Sequence, residues 1–579
     1  MMASERSGAG RMRAHKMFSL TLLASAASLF GVQAQAQDAA PQPPAEAAAA
    51  PSVTEELIRM LAEHNAIKKE DAEKLIERLR VEQGGAPAAA ATAATPEPKG
   101  RVRVYYLPES QKQKMREELK QEVMETAKAE NWAAPNRFPE WVDRIKFEGD
   151  VRVREEFDLM DSSNDPFVIN YQDLNSGAPY NVGLADTNQP LPPLMNTTED
   201  RNLMRLRARL GLAAQINDDM TVNLRLATGN TVNPVSTNQT LGNNFNRLTF
   251  QLERAYIAYK PIDGLSLYAG RMPSIFRTSE LVWDEDLNFD GFGATYQEKS
   301  GVVRPFVSVG AYSVQNTAFD FPSTRSVKSS SRDRWLLALQ VGEDAKITDD
   351  VSLSAAAAYY HFTNMRGEPS APCFAPTADF ACDTDDSRPA FMQYGNTLFG
   401  LRNLELENAD DPQFQYFGLA SRFRIASVNS RLDWAMPNAM HLLWDFEYAY
   451  NFGFDKNDVR RLGPVNNYGY TSDPGAASPY QGGNKAWLTQ LQVGHLDVAE
   501  YGKWHLRGGY RRLESDALVD AYTDSDFHLG GTNAKGFFLA GALGFTHNAW
   551  LSAQYFGATE VSGQSFAVDV LQFDLHARF

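Results

Sequence analysis

Cysteine is nearly absent. The 579-residue chain has two, Cys373 and Cys382, too few for a disulfide scaffold or, by themselves, for a three- or four-ligand zinc site. Long apolar runs are missing as well: no stretch reaches the ~18 consecutive apolar residues that a spanning helix needs. With a mean hydropathy of −0.40, this excludes a bundle of transmembrane helices. Positive charge is in deficit, since 56 Lys and Arg against 72 Asp and Glu leave a formal net charge of −16. Phosphate backbones want a concentrated basic face, so no nucleic-acid partner is expected. What is present is 11% aromatic residues and 40 glycines. That composition suits many short strands and turns, and it is too rich for a disordered chain.

The first segment suggests a compartment. Arg11, Arg13 and Lys16 precede a mostly apolar stretch from Met17 to Phe30, followed by Ala34-Gln35-Ala36, small residues where a signal peptidase reads. Residues 1–36 are therefore expected to be a signal peptide, and export would permit a disulfide. Residues 37–51 form an Ala/Pro linker. Residues 52–85 read as a helical segment, with Leu57, Ile58 and Leu61 and then Leu75, Ile76 and Leu79 at helix spacing. A second linker covers 86–104. Residues 105–144 hold an amphipathic, coiled-coil-like helix and a junction. The apolar stripe Met115, Leu119, Val123 and Thr126 is too narrow for an independent core, so self-association is expected, as a homotrimer, in the periplasm.

From Ile145 the period changes to two. Phe147, Gly149, Val151 and Val153 alternate with Glu148, Asp150, Arg152 and Arg154, and Met204 to Leu212 alternates with Arg205, Arg207 and Arg209. About sixteen such segments of roughly ten residues fill 145–579, the length that crosses a bilayer when tilted. Phe414 to Ile425 is taken as the tenth, which leaves a link from Ala426 to Met440 too long for a tidy turn. Short links such as 215–219 and 260–263 alternate with long ones such as 159–201 and 363–413, as in an outer-membrane barrel and unlike a soluble sandwich. The expected fold is an all-β transmembrane antiparallel barrel with an N-terminal α-helical periplasmic extension. Apolar side chains would face outer-membrane lipid and polar ones the lumen, because an arginine facing lipid at mid-depth costs about 2–4 kcal/mol. Trp335, Trp444, Tyr448, Trp487, Trp504 and Trp550 lie near segment ends, where interface girdles form. The last segment ends Leu575, Ala577, Phe579, which resembles the terminal strand of bacterial outer-membrane proteins.

One stretch points to a family. Tyr105-Tyr106-Leu107-Pro108-Glu109, Asn131-Trp132-Ala133-Ala134-Pro135, Phe138-Pro139-Glu140-Trp141-Val142-Asp143-Arg144-Ile145 and Gly149-Asp150-Val151-Arg152-Val153-Arg154 resemble the family of Gram-negative outer-membrane proteins called Putative porin. Arg254-Ala255-Tyr256 and Ala269-Gly270-Arg271 are further echoes. The resemblance covers nearly the whole mature chain, though only Trp132 to Arg154 is specific. It implies an outer-membrane channel, often with a periplasmic helical extension, and supplies neither catalytic residues nor a solute.

Arg152, Arg154, Arg205, Arg207, Arg209, Arg225 and Arg254 are expected to line the pore, and Arg304, Arg507 and Arg511 could extend that wall. Such a ladder would favour small hydrophilic or anionic solutes, unless Glu148, Asp150, Glu156 and Glu253 neutralise it into a wall network. The loop 276–288, with Glu280, Asp284, Glu285 and Asp286, reads most simply as external. Folded inward, it would form a constriction opposite the arginines. A Cys373–Cys382 disulfide would restrain the longest loop. The aspartate-rich tips 383–386 and 520–526 read as solvated rather than metal-binding, and no cofactor is expected. Histidines are scattered, and no nucleophile elbow or phosphate loop has its required context. No enzyme is expected. Passive diffusion through a water-filled channel is the leading reading, and an envelope tether or adhesin with a blocked barrel is the alternative.

Overall fold

A computed structural model describes residues 142, 144–183, 191–317, 331–408, 411–469 and 479–579. The chain divides into two compact units, 1–113 and 114–579, and the described residues all belong to the second. The expected signal peptide, both linkers, the helical segment and the amphipathic helix lie outside the described residues.

Sixteen antiparallel strands form a closed wall. They are β1 (Ile145–Met160), β2 (Arg201–Gln215), β3 (Met220–Thr228), β4 (Phe250–Ile262), β5 (Leu265–Pro273), β6 (Asn288–Gln297), β7 (Val303–Gln315) and β8 (Arg334–Lys346), followed by β9 (Val351–Phe362), β10 (Arg424–Met436), β11 (Met440–Asn451), β12 (Lys485–His495), β13 (Trp504–Leu513), β14 (Ala534–Thr546), β15 (Ala549–Glu560) and β16 (Ala567–Arg578). Each pairs with its chain neighbour. The ring shuts because β1 pairs with both β2 and β16, from Asp150↔Arg578 to Met160↔Val568. Phe579 extends that seam through two backbone hydrogen bonds with Gly149, at 2.9 and 3.0 Å. Closure leaves no unpaired edge, the condition for a sheet to stand in hydrocarbon.

Period-two burial identifies the two faces. Val151 and Val153 are 39% and 37% exposed, while Arg152 and Arg154 between and beyond them are 7% and 2% exposed. The polar set therefore points inward. Links at one end are short (216–219, 263–264, 347–350, 437–439, 547–548). At the other end they are mostly long, and 363–423 is the longest.

The tenth strand differs from the expectation. Phe414–Gln415 pairs with Tyr180–Asn181, and Phe417–Leu419 with Leu398–Gly400, in two small sheets inside long loops. The wall strand is Arg424–Met436, so most of the supposed over-long link is strand and the true turn is the three residues Pro437–Ala439. Trp550 departs too: it stacks on His576 and lines the lumen instead of joining a girdle.

The core sits inside the barrel, not around it. Phe276, Leu281, Val282 and Trp283 from loop 274–287, Met392 and Phe417 from loop 363–423, and Leu518 and Phe527 from loop 514–533 are buried together. They pack with wall residues Phe289, Tyr312, Leu336, Tyr360 and Phe362. Toward the long-loop end the inward face thus carries large apolar side chains, because it meets folded loop, with a few buried polar groups such as Asp158, Arg334 and Asn451 among them.

Candidate functional site

The register of β1 on β2 sets Arg152 directly opposite Arg207, Arg154 opposite Arg205, and Asp150 opposite Arg209. Like charges facing one another across a sheet repel, so this grid needs counter-ions. Arg154 takes Asp574 of β16 in a two-pronged contact at 2.8 and 3.0 Å, and reaches Asp526 of loop 514–533 at 2.9 Å. Arg205 meets Glu156 at 2.6 Å. Arg207 lies 3.3 Å from Asp150 and 3.5 Å from Glu285, and Arg209 donates to Asp286 and Thr237.

A β-bulge supplies one more acid. Arg225 pairs with Arg254 and Leu226 with Leu252, which leaves Glu253 as the extra residue. Glu253, 6% exposed, accepts from both Nε and Nη2 of Arg225. The structure thus gathers Arg154, Arg205, Arg207, Arg209 and Arg225 into ion pairs. Arg152 and Arg254 are different. Their hydrogen bonds go to Asn238 and Asn288, both at 2.7 Å, and among the described residues neither has an ion-pair partner.

The loop 274–287 crosses the lumen, which corrects its reading as external. Aromatic packing fastens it: Phe276 and Trp283 stand edge-on to Tyr360 at 5.5 and 5.0 Å. On the far wall the Arg277 N–H donates to Gln340 at 2.8 Å, Ser279 to Glu447 at 2.6 and 2.7 Å, and Arg507 to Glu280. On the near wall Asp286 takes Arg209. Between them Asp284 accepts from Ser525 N–H, which ties this loop to loop 514–533. Burial, with Asp524 and Asp286 close by, pushes the Asp284 carboxyl up to about 9. Burial acts the same way on Asp286, but Arg209 and Arg207 outweigh it and hold that group below the ordinary carboxylate range.

A family profile described as Putative porin matches residues 51–579. The chain belongs to that family. It is an outer-membrane channel of the porin class. Among solved structures it is similar to the outer membrane channel DcaP of Acinetobacter baumannii (12% identity, 75% of this chain and 97% of that one, TM-score 0.35). It is also similar to OprB of Pseudomonas putida (10%, 76% and 96%, TM-score 0.40) and to OmpF of Salmonella typhi (10%, 75% and 97%, TM-score 0.36). Among curated proteins none matches by sequence.

Within this porin, two cavities flank the crossing loop. One of about 420 Å³ opens toward the long loops, lined by Asn230, Gln251, Arg271, Asn288 and Arg334. The other, about 370 Å³, opens toward the short turns, lined by Arg152, Glu285, Gln492, His505 and Arg507. Asp286 lines both.

The aspartate-rich tips also fold inward. Asp385 pairs with Arg402, Asp524 with Arg511, and Asp520 is 2% exposed, so these segments are packed and not solvated. Among the described residues no group of His, Cys, Asp and Glu is arranged to hold a metal. Cys373 and Cys382 are disulfide-bonded. The set nearest to a catalytic triad is Ser552, His576 and Asp574. Its geometry fails, because His576 Nε2 faces both Ser552 (3.0 Å) and Asp574 (3.6 Å), and Arg154 already occupies Asp574. A triad needs the two ring nitrogens divided between the partners. Sequence reading missed Asp574, Asn238 and Asn288 as partners; Asp574 at least shares the inward phase of the last strand.

Proposed function

We propose that this porin passes small hydrophilic solutes by diffusion through lumenal water, with anions preferred over cations. The carrying observation is that Arg152 and Arg254 keep full charge without an ion-pair partner among the described residues, while the arginines around them are neutralised. A guanidinium of this kind lowers the barrier for an anion and raises it for a cation. In this reading residues 1–36 direct export, and the helix within 105–144 self-associates in the periplasm and holds a homotrimer.

The test is the zero-current potential of the refolded protein in a bilayer under a KCl gradient. A chloride-directed potential is expected, with Arg152→Gln/Arg254→Gln moving it toward the cation side. A cation-directed potential in the parent protein overturns the anion preference. A second reading draws on the apolar loop core inside the barrel, which favours a blocked barrel acting as tether or adhesin. Persistent silence from folded protein selects it.

A further inference from the structure

Internal pairing leaves the cavity on the short-turn side with an uneven residue of charge. Asp574 and Asp526 are held by Arg154, Glu280 by Arg507, Asp524 by Arg511, and Asp286 by Arg209 together with Thr237. Besides Asp284, which accepts from the Asp286 and Ser525 N–H groups, and the histidines His505 and His576, two charged groups of the lining remain weakly compensated. Arg152 on the β1 wall has one hydrogen bond, to Asn238, and its Nε is buried without any partner although the side chain is only 7% exposed. Glu285, on the crossing loop, has a 72% exposed side chain whose nearest charge is Arg207 Nη1 at 3.5 Å. Arg207 is the direct cross-strand neighbour of Arg152, and its own Nε and Nη1 also lack hydrogen bonds. A guanidinium without an ion-pair partner among the described residues and a largely exposed carboxylate held only by the 3.5 Å contact to Arg207 therefore line one cavity of about 370 Å³.

Each kind of solute meets this pair differently. An anion gains Arg152 but stands beside the Glu285 charge. A cation gains Glu285 but stands beside two guanidiniums. A neutral solute leaves the Arg152 guanidinium without a charged acceptor. A molecule with a carboxylate and an ammonium on adjacent carbons or on one carbon satisfies both groups and adds no net charge to the cavity.

We propose that this cavity is a resting site for zwitterionic solutes of the amino-acid class, carboxylate on Arg152 and Asn238, ammonium on Glu285. The inference rests on the open-channel reading and narrows its solute. It leaves the preference among simple ions in place, since two guanidiniums, Arg152 and Arg254, stand free against the one carboxylate of Glu285.

The experiment compares two isomers, alanine and lactamide, which share a formula and differ in charge separation. Liposomes carrying the full chain are placed in each and their swelling rates measured. Alanine is expected to enter faster by about two- to fivefold, the scale of one partly hydrated charge pair. Arg152→Gln and Glu285→Gln should each bring the ratio toward one, and Glu285, being exposed, can be changed without disturbing the fold. Equal rates in the parent protein, or a ratio that neither substitution moves, overturn the inference while leaving the channel standing. Swelling in neither solute overturns the channel itself.

Discussion

Trp283 is the residue on which the position of the crossing loop turns. Its ring is 6% exposed and meets Phe289 at 5.3 Å, Tyr360 at 5.0 Å and Phe362 at 6.3 Å, so it is enclosed by the wall strands β6 and β9. Truncation to alanine at such a site costs about 3–5 kcal/mol. The polar pins of the same loop, Ser279 on Glu447 and Arg277 on Gln340, contribute about 1 kcal/mol each. The ring is thus comparable to several pins together. None of the barrel's ladder bonds runs through the loop, so Trp283→Ala should free the loop without opening the wall. Single-channel recording is expected to show higher conductance with added current noise, while the barrel keeps its heat-modifiable migration on a gel. Trp444→Ala, 48% exposed on the lipid face, should leave the current trace unchanged. A folded Trp283→Ala barrel with the parent conductance and noise would refute the anchoring argument.

Two further outcomes follow from the charges. Burial, with Asp524 and Asp286 close by, raises Asp284 to about 9, so its stabilising contribution to the packing of loops 274–287 and 514–533 is fully present only below the ordinary carboxylate range, declines as pH rises and is gone above about 9, where the ionised group repels Asp524. Current noise should therefore grow on that alkaline limb and stay flat in Asp284→Asn; identical limbs in the two proteins would count against it. Replacing Arg205, Arg207 and Arg209 with glutamine should unmask Glu156, Asp150 and Asp286 and drive the zero-current potential toward cations; an unmoved potential sinks the placement of these side chains in the conducting path.

The barrel was legible because lipid imposes a strict rule: every other residue must be apolar over a fixed length. Where that rule binds, as in 145–154 or 567–579, residues and strands agree. The tenth strand escaped because its outward side chains open on Arg424, Ala426, Val428 and Ser430, a weak apolar signal, whereas Phe414, Tyr416 and Gly418 mimic alternation within a loop. Loop placement obeys no period. A usable signal did exist, since Phe276, Leu281, Val282, Trp283 and Leu287 are more apolar than a solvated loop can sustain. Counter-ions were the least legible part. Arg154 and Asp574 lie 420 positions apart, and only closure of the ring brings β1 beside β16.

Net charge is a poor guide to what such a lumen selects. The chain carries −16, yet the five paired arginines each face a carboxylate across the wall or on a loop. Separating such a pair leaves an uncompensated charge in a partly desolvated place, which costs about 3–5 kcal/mol when burial is deep. The pairs therefore behave as fixed structure, holding strand to strand and loop to wall, and a passing ion cannot borrow either member cheaply. On the reading proposed above, what a solute can use is the remainder: Arg152 and Arg254, without ion-pair partners among the described residues, and Glu285, held only at 3.5 Å by Arg207. That reading expects a single substitution at one of these groups to alter permeation more than several charge changes on the exposed turns.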